Sequence, residues 1–309
     1  MSEKSYRIKR GATEVVVHLA RYVMLIACGY VLLYPFLYMI AGSFKGLLDV
    51  NDPTVNWIPK HFSMESIQQA MKYMDYWRSF GYTVLYGAGS VVLQFCTSAL
   101  AAYGLARFKF KGRTVLVGMM MLTILVPAIM IIIPQYVLFY KMDFLGILGL
   151  VNRLSGVDLR PNLLDTPFAF WIPSMLGVGL KGGLFIYIFM QFFKSLPKEI
   201  EEAAWIDGAG PFKTFTSLVI PSSSTAVVTV LIFSVVWNWS DSFLPSMFLT
   251  TNYPLSVQLE NLYSYMFGTS NPGPLLAGCL LFLLPAVLFY VLLQKKFIAS
   301  ISTSGLTGM

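Results

Sequence analysis

Side chains able to do chemistry are scarce in this chain, and their densest grouping is "EEAAWIDGAG" (201–210), which sets Glu201, Glu202 and Asp207 within seven residues. Glu202 and Asp207 could act as an acid/base pair, but that chemistry needs an oriented nucleophile and none stands beside them in sequence. His18 and His61 are far apart, and Cys28, Cys96 and Cys279 fall singly within apolar stretches. Neither set has the spacing of a metal site or a disulfide. No G-x-x-x-x-G-K-[ST] occurs, so the chain does not hold a nucleotide phosphate in the P-loop manner. Catalysis is a poor reading, and the acidic patch needs another purpose.

The surrounding elements explain where the patch lies. The hydrophobic share is 56%, charged residues are 12% and the mean hydropathy is +0.67, which is not the balance of a soluble domain. Five uncharged windows, Tyr22–Phe44, Ser79–Ala106, Thr114–Tyr140, Thr214–Ser240 and Asn261–Gln294, each hold the roughly 20 residues of a membrane-spanning helix. A sixth, Pro167–Phe193, is interrupted only by Lys181. The pattern predicts an all-α polytopic membrane protein with six spans, at about 20–42, 82–105, 114–138, 169–193, 216–239 and 274–294. The first stretch is too long for the apolar part of a signal peptide.

Six spans place both termini on one side. That side carries 14 basic residues and the other 7, so the termini are expected in the cytoplasm. Residues 1–19 and 295–309 then form cytoplasmic end segments around a 20–294 membrane domain. The net charge of +7 follows from this topology, and no basic soluble face for nucleic acid is apparent. On the outer side, Met64, Ile67, Met71 and Met74 recur at helical spacing and predict a surface helix packed on the bundle.

The acidic patch falls on the inner side, between spans four and five. In "SLPKEIEEAAWIDGAGPFKTFTSLVIP" (195–221), Ser195 could cap a short helix with Pro197 in its first turn. Glu199, Glu201 and Glu202 would sit near its N-terminus, where the macrodipole favours negative charge. Gly208 supplies a left-handed stop, and Gly210-Pro211 breaks the chain before a second short helix. Over about 197–213 this predicts helix, turn, helix. Ile200, Ala203 and Ala204 would share one face that a partner backbone can approach closely, and Trp205, Phe212 and Phe215 would offer large apolar surface for burial. A hairpin resting on lipid would favour Lys and Arg over these acids, so docking to another protein is the better explanation.

Lys181 is the outlier within the membrane. A charge near mid-bilayer costs on the order of 3 kcal/mol, so it should face a cavity or partner. It is a candidate for a substrate pathway, unless the span starts later and the lysine snorkels outward. Gln94, Asn238 and Asp241 are weaker candidates, because polar groups in spans also glue helices together.

Glu202-Ala203-Ala204, three residues, Gly208, nine residues and "LVIP" (218–221) resemble the EAA signature of the membrane-spanning subunits of binding-protein-dependent ABC importers. Leu218 and Ile220 depart from that pattern conservatively. "IDGA" (206–209) resembles the carbohydrate-uptake branch, and "AAYGLARFKFKGR" (101–113), "WNWSDSFLP" (237–245) and "KKFIASISTSGLTG" (295–308) agree with it. The likeness is closest to the second permease subunit of maltose-type importers. The stretch "LSGVDLRPNLLDTP" (154–167) looks like an outer-side insertion relative to that family.

The resemblance implies a permease that moves an oligosaccharide or related glycoside across a bacterial or archaeal cell membrane. It implies a homologous permease partner, two cytoplasmic ATPase subunits and an extracytoplasmic solute-binding protein. ATP and magnesium would be bound by the ATPases, leaving no cofactor and no enzymatic activity in this chain. Carried over by motif, Glu202, Ala203, Ala204, Asp207 and Gly208 would couple the permease to an ATPase. Ser304, Gly305 and Gly308 would lie in a tail at the ATPase interface. Tyr253, Tyr263 and Tyr265 fall in the loop that family members turn toward the binding protein. The rival from the residues alone is a stand-alone ion-coupled secondary transporter, disfavoured by the lack of paired intramembrane carboxylates.

Overall fold

A computed structural model describes the backbone of residues 3–50, 52–143 and 146–306. The chain forms two compact units, one from Met1–Tyr73 with Leu262–Leu281, the other from Met74–Asn261 with Phe282–Met309. Among the described residues the regular structure is helical, and the β-type pairing is an isolated bridge between Lys45 and Phe62.

In the first unit, α1 runs as helix from Glu3 to Ser43. A short α2 (Leu47–Val50) follows, then α3 (Glu65–Tyr73). Gly42 marks a close approach: a Cβ there would lie 2.3 Å from Leu276 Cδ1, in the first turn of the last helix. Asp49 is buried and organises the segment after α1, accepting the His61 N–H at 2.7 Å and lying 2.7 Å from His61 Nδ1. The face of α3 differs from the expectation. Ser66, Ala70 and Met74 are buried, whereas Met64 is about half exposed and Ile67 and Met71 are half-buried. Within α3 the buried positions are the small residues Ser66 and Ala70, which allow a neighbouring backbone to come close, and Met74 just past its end is buried as expected.

The second unit is built around α4 (Tyr76–Arg107), a 32-residue helix with no proline. After it come α5 (Arg113–Leu125), α6 (Ala128–Tyr140), α7 (Ile147–Ser155), α8 (Phe168–Met175) and α9 (Gly182–Ser195). Next are α10 (Glu199–Ile206), α11 (Pro211–Thr214), a five-residue π-helical turn at Phe215–Val219, α12 (Ile220–Ser222) and α13 (Ser224–Ser240). The chain closes with α14 (Phe243–Phe248), α15 (Leu255–Met266) and α16 (Gly273–Leu306). Helices α8, α9 and α13 pack on α4.

The core of this unit pairs large residues with small ones. Phe185, Phe189 and Phe193 recur every fourth residue of α9 and are fully buried, facing Ala99 and Ala102 of α4 within a cluster that includes Tyr103, Phe215 and Val230. Between helices in a bilayer there is no transfer from water to gain, so this interlocking supplies the cohesion. Removing one such ring costs about 3–5 kcal/mol through the cavity left behind.

The predicted spans are only partly continuous helices. Val16–Ser43, Tyr76–Arg107 and Gly273–Leu292 are each long and apolar enough to cross a bilayer. The pairs Arg113–Leu125 with Ile129–Tyr140, and Pro211–Ser222 with Ser224–Ser240, reach that length only when each is taken as one bent span. Pro127 breaks the first, since the residue before a proline is pushed out of the helical region; the second turns through 82° at Ser223. The stretch 169–193 is not one helix: α8 stops at Met175 and α9 starts at Gly182, with Gly177 and Lys181 in left-handed conformations between them.

Candidate functional site

The helix expected around 197–213 is realised as α10, a turn and α11. Ser195 does not cap it. Its hydroxyl donates to the Phe192 carbonyl at 2.7 Å inside α9, and Lys198 takes the cap position. The C-terminal end follows the expectation: Gly208 has φ +83, its N–H donates to the Trp205 carbonyl at 3.0 Å, and the Ala209 N–H donates to the Ala204 carbonyl at 2.9 Å. This double closure is a Schellman motif, which Gly208 makes possible by entering the left-handed region without a Cβ. Pro211 then opens α11 at its first position.

The faces of α10 are divided. Glu201 and Ala204 point inward and are buried, while Glu202, Ala203, Trp205, Ile206, Asp207 and Gly208 are exposed. Ile200, Ala203 and Ala204 therefore do not form one face. Phe212 is exposed, but Phe215 is buried against Tyr103 at 5.0 Å between ring centroids and belongs to this chain's own core.

Glu201 makes a buried link that sequence reasoning missed. Its Oε1 lies 2.6 Å from Arg107 Nε, with both side chains about 5% exposed, and its Oε2 accepts the Tyr103 hydroxyl at 3.0 Å. Arg107 also donates through Nη2 to the Leu196 carbonyl, at the end of α9, at 3.0 Å. One guanidinium thus ties together the last turn of α4, the end of α9 and the first turn of α10. In the sequence Arg107 reads as one more inner basic charge; here it is buried and paired.

The membrane-interior candidates converge in part. Gln94 is fully buried, donates to the Leu180 carbonyl at 2.6 Å and accepts the Ser234 hydroxyl at 3.2 Å, so it joins α4, the α8–α9 break and α13. Lys181 follows that carbonyl directly and places Nζ 5.9 Å from the centre of the Trp237 ring, within cation–π reach. Asn238 donates to the Ser234 carbonyl of its own helix at 2.8 Å. Asn238 and Asp241 line a small hollow with Tyr86 and Ser90, and neither Lys181 nor Trp237 is among its lining residues.

Residues 94–302 match the family described as binding-protein-dependent transport system inner membrane component. The chain belongs to that family. It is similar, at 27% identity over 90% of this chain and 85% of the relative, to the diacetylchitobiose uptake system permease protein NgcG of Streptomyces coelicolor. It is similar, at 26% identity over 92% of this chain and 96% of the relative, to a probable starch degradation products transport system permease protein, AmyC, of Thermoanaerobacterium thermosulfurigenes. Its fold is shared with the crystal structure of a bacterial ABC transporter involved in the import of the acidic polysaccharide alginate, with a TM-score of 0.67 and 20% identity over 92% of this chain and 98% of that one.

The chain is therefore a multi-pass permease subunit of a binding-protein-dependent ABC importer, not an ion-coupled transporter acting alone. Hydrolysis of ATP belongs to separate ATPase subunits. Of the permease's remaining candidates, Tyr253 is half-buried just before α15, Tyr263 is exposed, and Tyr265 is exposed but packs at a tilt against Tyr73 with ring centroids 4.7 Å apart. Ser304 and Gly305 lie in the helical backbone of α16, and Gly308 falls outside the described residues.

Proposed function

We propose that this permease carries an oligosaccharide or related glycoside inward across a bacterial or archaeal cell membrane, paired with a homologous permease and driven by two cytoplasmic ATPase subunits. The sugar class is supported by the printed functions of its relatives, which include diacetylchitobiose and starch-product uptake. Six spans with cytoplasmic termini fit if the α8–α9 segment crosses as a broken span with Lys181 at its break, facing the pathway beside Gln94. Asn238 and Asp241 would extend that pathway outward. Tyr253, Tyr263 and Tyr265 would meet the extracytoplasmic binding protein, and the tail with Ser304, Gly305 and Gly308 would reach the ATPase interface.

The central part of the proposal is coupling. Glu202, Ala203, Asp207 and Gly208 would dock on an ATPase subunit, with Ala204 setting the packing beneath them. The observation that supports this is the division of α10: its outer face is exposed, while Glu201 on the inner face is anchored to Arg107 at the end of α4. A short closed helix tied to a long one can pass a displacement on, as a bistable bundle requires. The test is purification of the assembled transporter carrying Glu202→Lys with Gly208→Pro. The expected result is that partner subunits still co-purify while ATP-dependent uptake is lost; full uptake would sink the assignment.

A further inference from the structure

The outer stretch 154–167, which stands out in the sequence as an insertion, is knitted into its surroundings. The Met142 N–H donates to the Pro161 carbonyl at 3.0 Å and the Leu163 N–H donates to the Phe139 carbonyl at 2.8 Å, so the insertion pairs with the end of α6. Its middle is held by charge, with Asp158 accepting Arg160 Nε at 2.7 Å and Nη2 at 2.8 Å, and Lys141 Nζ lying 3.2 Å away.

Its end is Asp165, at φ +63, a conformation that Asn, Asp and Gly adopt far more readily than other residues. Asp165 Oδ1 accepts the N–H groups of Thr250 at 3.0 Å and Thr251 at 3.3 Å, and Oδ2 accepts their hydroxyls at 2.5 and 3.2 Å. Its own N–H donates to the Phe248 carbonyl at 2.9 Å.

The segment gripped in this way is fixed on its other side by α4. Tyr86 donates its hydroxyl proton to the Asn252 carbonyl at 3.2 Å, Arg78 Nη2 donates to Asn252 Oδ1 at 3.1 Å, and the Leu255 N–H donates to Thr83 Oγ1 at 2.8 Å. Residues 249–255, and with them the start of α15, are set between the insertion and the outer turns of α4. Both Asp165 oxygens are used inside the chain, so the carboxylate holds position and leaves partner contact to its neighbours. Bonds to a charged acceptor are the stronger kind, and four of them converge here.

We propose that Asp165 is a positioning residue for docking of the extracytoplasmic binding protein: by clasping the insertion to Thr250 and Thr251, it fixes the outer segment 249–255 as one surface. This rests on the reading that the loop between the last two spans meets that protein.

The experiment uses the complete transporter in liposomes with its binding protein, measuring the binding-protein concentration that half-saturates ATPase stimulation. Asp165→Gly keeps the backbone conformation and removes the carboxylate; Asp165→Asn keeps the conformation and one acceptor; Tyr263→Asp alters the exposed loop itself. Asp165→Gly is expected to raise the half-saturating concentration about tenfold with the saturating rate held within about twofold, and Asp165→Asn to stay within about threefold of the parent. Tyr263→Asp is expected to raise it as well. An Asp165→Gly variant that lowers only the saturating rate is merely destabilised, and that result overturns the proposal. If Tyr263→Asp shifts the concentration and Asp165→Gly does not, the clasp is overturned while the loop reading stands. If neither shifts it, the loop reading falls and the clasp with it.

Discussion

Arg107 Nε and Glu201 Oε1 lie 2.6 Å apart in a setting that leaves each side chain about 5% exposed. The pair joins the end of the longest helix of its unit to the first turn of α10, and the neighbouring acid, Glu202, is exposed. Two adjacent glutamates thus have different surroundings, one buried and holding the short helix and the other open to solvent.

Glu201→Ala should cost more stability than Glu202→Ala. Removing one member of a buried pair strands the other, at roughly 3–5 kcal/mol, whereas an exposed carboxylate contributes well under 1 kcal/mol to the fold. Thermal unfolding of the purified complex checks this: a clear drop for Glu201→Ala and little change for Glu202→Ala. The double variant Arg107→Met, Glu201→Leu should recover much of the loss, because no unpaired charge remains. Equal unfolding temperatures for the two single variants would contradict the division of roles.

Gly208 is needed for its backbone conformation rather than for space. A Cβ there would meet nothing within 4 Å, yet φ is +83. Gly208→Ala should therefore cost about 1–2 kcal/mol through strain in the left-handed region, and Gly208→Asn less. Uptake should rank parent, Asn, Ala in descending order. An alanine variant as active as the parent would show that the Schellman closure is dispensable.

The α8–α9 break depends on glycine for a different reason. A Cβ on Gly182 would lie 2.3 Å from the Gly177 carbonyl oxygen, which is backbone and cannot swing aside, while one on Gly104 would meet nothing within 4 Å. Gly182→Ala should lower the yield of folded permease and its unfolding temperature. Gly104→Ala, in the last turn of α4, should be neutral or stabilising by up to about 1 kcal/mol. Detergent-resistant folded fraction distinguishes the two, and equal behaviour would mean the break is not closely packed.

These comparisons show which features the sequence could carry. The stop at Gly208 was legible because a Schellman closure is a local event with a glycine signature. The ion pair was not, since Arg107 and Glu201 are distant in sequence and a count of inner basic residues treats Arg107 as a solvated charge. Hydropathy windows located the apolar stretches but not their breaks: "MLGVGLKGG" (175–183) is apolar on average, yet left-handed turns at Gly177 and Lys181 divide 169–193 into two helices.

Site-directed cross-linking tests the coupling account most directly. With Cys28, Cys96 and Cys279 replaced, single cysteines at Ala203 (exposed) and Ala204 (buried) would be treated with a short bifunctional thiol reagent in the assembled transporter whose ATPase carries one surface cysteine. The account predicts a permease–ATPase adduct from Ala203→Cys and little or none from Ala204→Cys. No adduct from Ala203→Cys at any of a panel of ATPase positions, or equal yields from both sites, would contradict docking through the outer face of α10.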